Sequence, residues 1–188
     1  MDKKSYRKKV KEERDRLDKS IKEKYDEKLK NDLLSLPEIQ KAETVFAYLN
    51  FGSEISTMPI IKELLQQGKR VFIPWINQEK KIMELTELRD PLKELQPGYY
   101  GILEMKEEFL NLYHGEIDVV LTPGLVFDEN YYRIGYGGGF YDKYFSGINY
   151  EPFKIAMAYS FQVVEELPRE EFDQQIDAIL TEKGLSRR

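Results

Sequence analysis

The sequence predicts a single α/β domain, and three observations carry that reading. Residues Thr44 to Leu49 and Arg70 to Ile76 are short runs rich in Val, Ile, Phe and Tyr, and a helical pattern separates them. That strand, helix, strand order predicts a right-handed parallel crossover. Two further runs of the same kind, Asp118 to Thr122 and Phe153 to Tyr159, are also bounded by Gly, Pro, Asn or Ser. At 188 residues and 41% hydrophobic, the chain can bury one core, so one domain spanning 1–188 is expected.

In chain order, Asp2 is the expected N-cap of a basic helix over residues 2–17, with Tyr6, Val10 and Leu17 on one face. Asp18 or Ser20 then caps a second helix, whose Ile21, Tyr25, Leu29 and Leu33 keep the helical period until Pro37 interrupts it. Between the first two strands, Thr57 to Gln67 reads as a helix. Pro59 suits its first turn, Ile60, Ile61, Leu64 and Leu65 form its stripe, and Gly68 suits its C-terminal cap. Residues 77–117 read as an insertion with weak strand signals at Ile82 to Leu88, a turn at Pro97-Gly98 and a short helix over Glu107 to Tyr113. A hairpin or loop through Phe127, Asp128, Glu129 and Asn130 follows, and then a helix over Gly139 to Phe145.

Composition excludes several classes of function. The chain has no cysteine, so disulfides, thiolate nucleophiles and cysteine-based zinc sites are out, and a reducing cytoplasm is the expected location. No apolar run reaches membrane-spanning length, and charged residues 2–11 lead into no apolar segment. Residues 1–30 carry 13 Lys/Arg against 8 Asp/Glu, whereas the remainder carries 16 against 26. A basic arm raises an RNA-binding reading, but the interleaved acids and the lack of a stacking aromatic patch argue against nucleic acid. His114 stands alone without metal-ligand spacing and receives no role.

The densest chemical signal is Arg133-Ile134-Gly135-Tyr136-Gly137-Gly138-Gly139-Phe140-Tyr141-Asp142, four glycines within five positions ahead of a helix. Without Cβ atoms such a stretch can aim consecutive N–H groups at one point, an anion nest beside a helix N-terminus. A flexible loop or tight turn is the plainer reading. Arg133 adds a permanent forked cation at one end and Asp142 a hard oxygen ligand for Mg²⁺ at the other. The spacing is neither that of a P-loop nor that of a dinucleotide fingerprint.

This stretch, with Pro123-Gly124-Leu125-Val126-Phe127-Asp128 before it and Lys143-Tyr144-Phe145 after it, resembles the signature of the 5-formyltetrahydrofolate cyclo-ligase family, also called methenyltetrahydrofolate synthetases. The resemblance spans the chain, with Lys3-Lys4-Ser5-Tyr6-Arg7, Tyr48-Leu49 with Glu54-Ile55 and Thr57, and Asp177 to Leu180 in the expected order. It implies a three-layer α/β/α single domain with a mostly parallel central sheet, in which the N-terminal helix contributes to an ATP site. It also implies ATP- and Mg²⁺-dependent conversion of 5-formyltetrahydrofolate, in free or polyglutamylated form, to 5,10-methenyltetrahydrofolate; the sequence does not fix the oligomeric state, and a monomer is the expectation.

By that resemblance Lys3, Lys4, Ser5, Tyr6 and Arg7, and Arg133 through Tyr141, bind ATP, with Arg133 and Lys3 catalytic. Leu49, Glu54, Tyr99 and Tyr100 meet the folate, and Asp142 and Asp177 hold Mg²⁺. Position alone reads Glu54 as a solvated loop charge, Lys3 and Arg7 as a solvated helix face, and Asp177 as a turn residue. Two departures from the family pattern stand out, Tyr131 where a Gly is usual and Trp75 where a basic residue is frequent. The implied mechanism phosphorylates the formyl oxygen and lets N10 close the ring. The competing reading is a nucleotide- or phosphate-binding module without turnover.

Overall fold

The computed structural model describes residues 1–188. Helix α1 (Lys3–Asp15) starts where the Asp2 carboxylate accepts from the Ser5 amide at 2.7 Å. Helix α2 (Lys19–Ser35) is capped by Asp18, which accepts from the Ser20 and Ile21 amides. Leu29 and Leu33 are fully buried, but Ile21, expected on the same face, is exposed on a first turn that overhangs the core. Pro37 does more than interrupt, because it opens a third helix, α3 (Pro37–Lys41), in which Ile39 is buried.

Strand β1 (Thr44–Phe46) leads through a long loop to α4 (Met58–Gln66). Gly68, at φ +79°, ends that helix, as the Gly68 amide donates to Leu65 O and the Lys69 amide to Leu64 O. This is the Schellman arrangement, and it needs a left-handed residue there. Strand β2 (Arg70–Asn77) runs parallel beside β1, and β3 (Ile82–Leu88) turns back antiparallel along it. Helix α5 (Pro91–Glu94) precedes a separate two-stranded ribbon, β4 (Leu95–Pro97) and β5 (Leu103–Met105), joined by a single turn at Tyr99–Gly101.

The helix expected over Glu107 to Tyr113 is not formed. Glu107–Phe109 make one 3-10 turn, and Leu112–Tyr113 become β6 at the edge of the main sheet. Side-chain packing accounts for the change, since the Tyr113 ring stacks on Phe72 at 4.2 Å and Thr86 Oγ1 accepts from the Asn111 amide. The chain continues through β7 (Val119–Leu121), the hairpin β8 (Val126–Asp128) and β9 (Arg133–Ile134), and α6 (Phe140–Gly147). It ends with β10 (Phe153–Met157), β11 (Val163–Val164), β12 (Ala178–Thr181) and β13 (Gly184–Arg187).

The main sheet has the order β13-β12-β10-β7-β1-β2-β3-β6, and its five central strands are parallel. Neighbouring residues of each strand point to opposite faces. Val45, Val71, Val119 and Leu121 face α2, α3 and α4, whereas Phe46, Phe72 and Val120 face Phe145 of α6. Three α/β/α layers result, as expected. From β1 the chain moves outward to β2, then returns to place β7 on the other side of β1. In open α/β sheets a crevice forms beyond the carboxyl ends of strands at such a reversal. Leu33→Ala is expected to cost about 2–5 kcal/mol in urea unfolding, whereas Ile21→Ala on the overhanging turn should stay within about 0.5 kcal/mol.

Candidate active site

A cleft of about 1320 Å³ opens beyond the carboxyl ends of β1, β2 and β7. Its floor is the glycine loop between β9 and α6. Gly137 has φ +108° and Gly139 φ +66°, conformations that L side chains rarely adopt, and Gly139 is the N-cap of α6. The hairpin that delivers this loop turns on Asp128, a fully buried carboxylate. Its Oδ1 accepts from the Asn130 and Tyr132 amides, and its Oδ2 from the Leu167 amide. Tyr131 takes the left-handed conformation itself at φ +65°, and its hydroxyl bonds Ser186.

Arg133 lies under the loop at 8% exposure and donates from Nη2 to Asp142 Oδ1 at 3.2 Å. Burial lowers its pKa, the Asp142 carboxylate opposes that, and the guanidinium stays protonated. Two buried donors at the cleft have no partner in the protein, Arg133 Nε and the Tyr141 hydroxyl. Buried polar groups are rarely left unpaired, which sets these two donors apart from the rest of the site. Burial also pushes the Tyr141 phenol well above its ordinary range, which keeps it a donor.

Helix α1 forms the cleft's second wall. Lys3 bonds Asp173 at 2.8 Å and reaches Glu170 at 3.2 Å. Burial alone would lower the pKa of its ammonium, but these carboxylates outweigh it and leave it raised. Arg7 donates from Nε to Gly135 O at 2.8 Å, and a Cβ at Gly137 would lie 3.9 Å from an Arg7 Nη2. Arg14, 4% exposed, donates to Ser53 Oγ and to the Tyr136 hydroxyl, each at 3.0 Å. That hydroxyl in turn donates to Glu54 Oε1, and Glu54 Oε2 accepts from the Phe51 amide. Burial of the hydroxyl end, followed by the Glu54 charge, raises the Tyr136 pKa.

Most of the expected residues therefore converge on one cleft. Lys3, Lys4, Arg7, Leu49, Tyr99, Arg133 through Tyr141, and Asp142 all line it. Others do not. The Ser5 amide is used by the Asp2 cap, and Tyr6 packs with Val10, Leu125 and Ile134 in a side cluster. Glu54 is not among the lining residues: it lies behind Tyr136 at 7% exposure, Oε1 accepting from the Tyr136 hydroxyl and Oε2 from the Phe51 amide. Tyr100, at φ +55°, is 79% exposed on the ribbon turn, its ring 4.9 Å from Tyr99 and 6.4 Å from Phe51.

Asp177 precedes β12, accepting from the Lys154 amide and pairing with Arg188, and is not among the cleft residues. Asp173, four positions earlier, is. Sequence reading missed Asp173 and Glu170 because they sit in an irregular segment before β12. It also missed Arg14, one of the 13 Lys/Arg within residues 1–30. Asp142 and Asp173 are two carboxylates rather than a metal cage, and no group of three or more His, Cys, Asp or Glu side chains could hold a metal alone.

Comparison with known proteins agrees with this geometry. Residues 1–182 match the model of the 5-formyltetrahydrofolate cyclo-ligase family. A 5-formyltetrahydrofolate cyclo-ligase of Haemophilus influenzae is 36% identical over 152 residues, 78% of this chain and 80% of the relative. One of Escherichia coli K12 is 33% identical over 153 residues, 79% and 83% respectively. The NMR structure of a 5,10-methenyltetrahydrofolate synthetase from Aquifex aeolicus superposes with a TM-score of 0.86 at 33% identity, covering 100% of this chain and 93% of that one. A Mycoplasma pneumoniae structure at 24% identity and TM-score 0.78 shares the fold.

Gly137→Ala tests the floor of the cleft. At φ +108° a Cβ strains the loop, and the variant is expected to lose about 1–3 kcal/mol in urea unfolding.

Proposed function

The chain belongs to the 5-formyltetrahydrofolate cyclo-ligase family and is an enzyme of that class, and from this premise we propose that it converts 5-formyltetrahydrofolate to 5,10-methenyltetrahydrofolate, consuming MgATP and releasing ADP and phosphate. The observation that carries the nucleotide half of the proposal is the pair of orphaned buried donors, Arg133 Nε and the Tyr141 hydroxyl, beside a glycine nest at the start of α6. A polyphosphate supplies the acceptors both lack. The loop amides, Arg133, Arg7 and Lys3 receive its oxygens.

Mg²⁺ fits the same corner and, when bound, neutralises charge between the phosphates. Asp142 uses Oδ1 for Arg133 and the Gln174 amide, and Asp173 uses Oδ2 for Lys3 and the Glu170 amide. One oxygen of each carboxylate is left for a cation or its water shell. Asp173 replaces Asp177 in this assignment.

The folate occupies the remainder of the cleft, between Tyr48 and Leu49 beyond β1, Trp75 and Ile76 at the end of β2, and Tyr99 on the ribbon turn. A formamide carbon is a weak electrophile because its oxygen is a poor leaving group. Transfer of the terminal phosphoryl group to that oxygen, with loss of ADP, corrects this. The N10 lone pair then bonds to the formyl carbon, the N10 proton is lost, and the carbon–oxygen bond breaks to release phosphate. No protein nucleophile is needed. The chain has no cysteine, and its one histidine, His114, lies outside the cleft. The protein's part is to hold the phosphoryl donor in line and to keep N10 against the carbon. Restraint of that kind is worth roughly 7–11 kcal/mol in a near-attack geometry.

Purified protein with 5-formyltetrahydrofolate is expected to develop the methenyl-folate absorbance band only when both ATP and Mg²⁺ are present. No band from folded protein that still binds ATP would support the module without turnover. Asp142→Asn should raise the Mg²⁺ concentration for half-maximal rate, and an unchanged requirement removes Asp142 from the metal. Arg133→Lys keeps the charge but loses the fork, and turnover should fall on the order of 10²-fold while thermal unfolding stays cooperative.

A further inference from the structure

The glycine loop between β9 and α6 has little of its own to hold it. From residue 135 to residue 138 its backbone makes no hydrogen bond to any other backbone group. Glycine loses more conformational freedom on ordering than any other residue, so a loop of this composition does not keep one shape unaided. Its one side chain is that of Tyr136. We infer that Arg14, acting through the Tyr136 hydroxyl, is a positioning residue that holds the loop in its nucleotide-receiving shape before any nucleotide arrives. The inference rests on the nucleotide site proposed above.

Both anchors of the loop come from one face of α1. Lys3, Arg7, Val10 and Arg14 follow the helical period, and Val10 is buried between the two arginines. Arg7 Nε donates to Gly135 O at 2.8 Å, and Arg14 Nη2 donates to the Tyr136 hydroxyl at 3.0 Å. That hydroxyl passes its own hydrogen to Glu54 Oε1. With a donor on one side and an acceptor on the other, the phenol oxygen is fixed in direction as well as in place. The ring itself is 50% exposed and belongs to no hydrophobic cluster, so the hydroxyl bonds carry the anchoring.

Arg14 is placed to hold the loop rather than to meet a ligand. It is 4% exposed and does not line the cleft, whereas Tyr136 does. Its Nε donates to Ser53 Oγ at 3.0 Å, and Ser53 donates to Asp15 on the same helix. The guanidinium is therefore fixed from a second side. A loop that is already ordered receives a polyphosphate without a further ordering cost, so losing the anchor weakens nucleotide binding first. The signature is a rise in KM for ATP that exceeds any fall in kcat.

Wild type, Tyr136→Phe, Arg14→Met and the double variant provide the test. Tyr136→Phe removes one hydroxyl from a half-exposed side chain, so it reports on the loop even where Arg14→Met lowers stability. Each single variant should raise KM for ATP, and the calorimetric Kd for MgADP, about ten-fold, the scale of one hydrogen bond to a charged group. The double variant should bind no more weakly than the weaker single variant, because both side chains act through one bond. Without nucleotide, NMR order parameters of amides 135–139 should fall from about 0.85 to about 0.6 or less in the variants, while those of α6 hold. Unchanged Kd and order parameters in Tyr136→Phe, a loss confined to kcat, or additive losses in the double variant overturn the inference. If wild type forms no methenyl-folate, yet the variants lose loop order and MgADP affinity as described, the activity fails and the role of Arg14 stands.

Discussion

A guanidinium that cannot shed its proton, buried to 8% exposure with one carboxylate at 3.2 Å, constrains most of this site. A charge in that position is costly unless it is paired. Asp142 supplies the pairing, which fixes where α6 must begin. The hairpin carrying Arg133 is in turn held by Asp128, whose three amide bonds close the turn before β9. Nε is left over, and with the Tyr141 hydroxyl it is one of two buried donors without a partner in the protein.

The first helix closes the arrangement from outside. Its apolar stripe is thin, and what holds it is a row of cations bonded inward. Lys3 reaches the segment before β12, Arg7 the glycine loop, and Arg14 the Tyr136 hydroxyl. Arg14 and Glu54 are both buried charges that meet through that one hydroxyl rather than directly. The loop after β1, the glycine loop and α1 are therefore one polar unit, in which moving any member exposes unpaired groups in the other two.

Much of this was legible in the sequence where local chemistry decides the outcome. Asp2, Asp18, Pro59 and Gly68 mark helix ends because capping is a short-range geometric requirement. Four of the five parallel strands, β1, β2, β7 and β10, announced themselves as β-branched and aromatic runs, and the glycine loop as a density no other residue type explains. What failed depended on tertiary partners. Leu112 and Tyr113 became strand because β3 and Phe72 were there to receive them. Ile21 obeys the helical period and still meets water, because the period cannot say where a helix overhangs its support. Asp177 and Asp173 lie in one irregular stretch, and only the fold tells which of them turns into the cleft. The bonds of Glu54 to the Tyr136 hydroxyl and the Phe51 amide likewise join residues far apart in sequence and needed the fold to be seen.

The central claim is that the cleft aligns the terminal phosphoryl group with the formyl oxygen, so that this oxygen leaves as phosphate. Substrate labelled with ¹⁸O in the formyl group tests it most directly, with the released phosphate read by ³¹P NMR or mass spectrometry. The account requires one ¹⁸O in each phosphate formed together with the methenyl product. Unlabelled phosphate, with the label in water, would contradict it and mean that ATP hydrolysis accompanies ring closure without activating the formyl group.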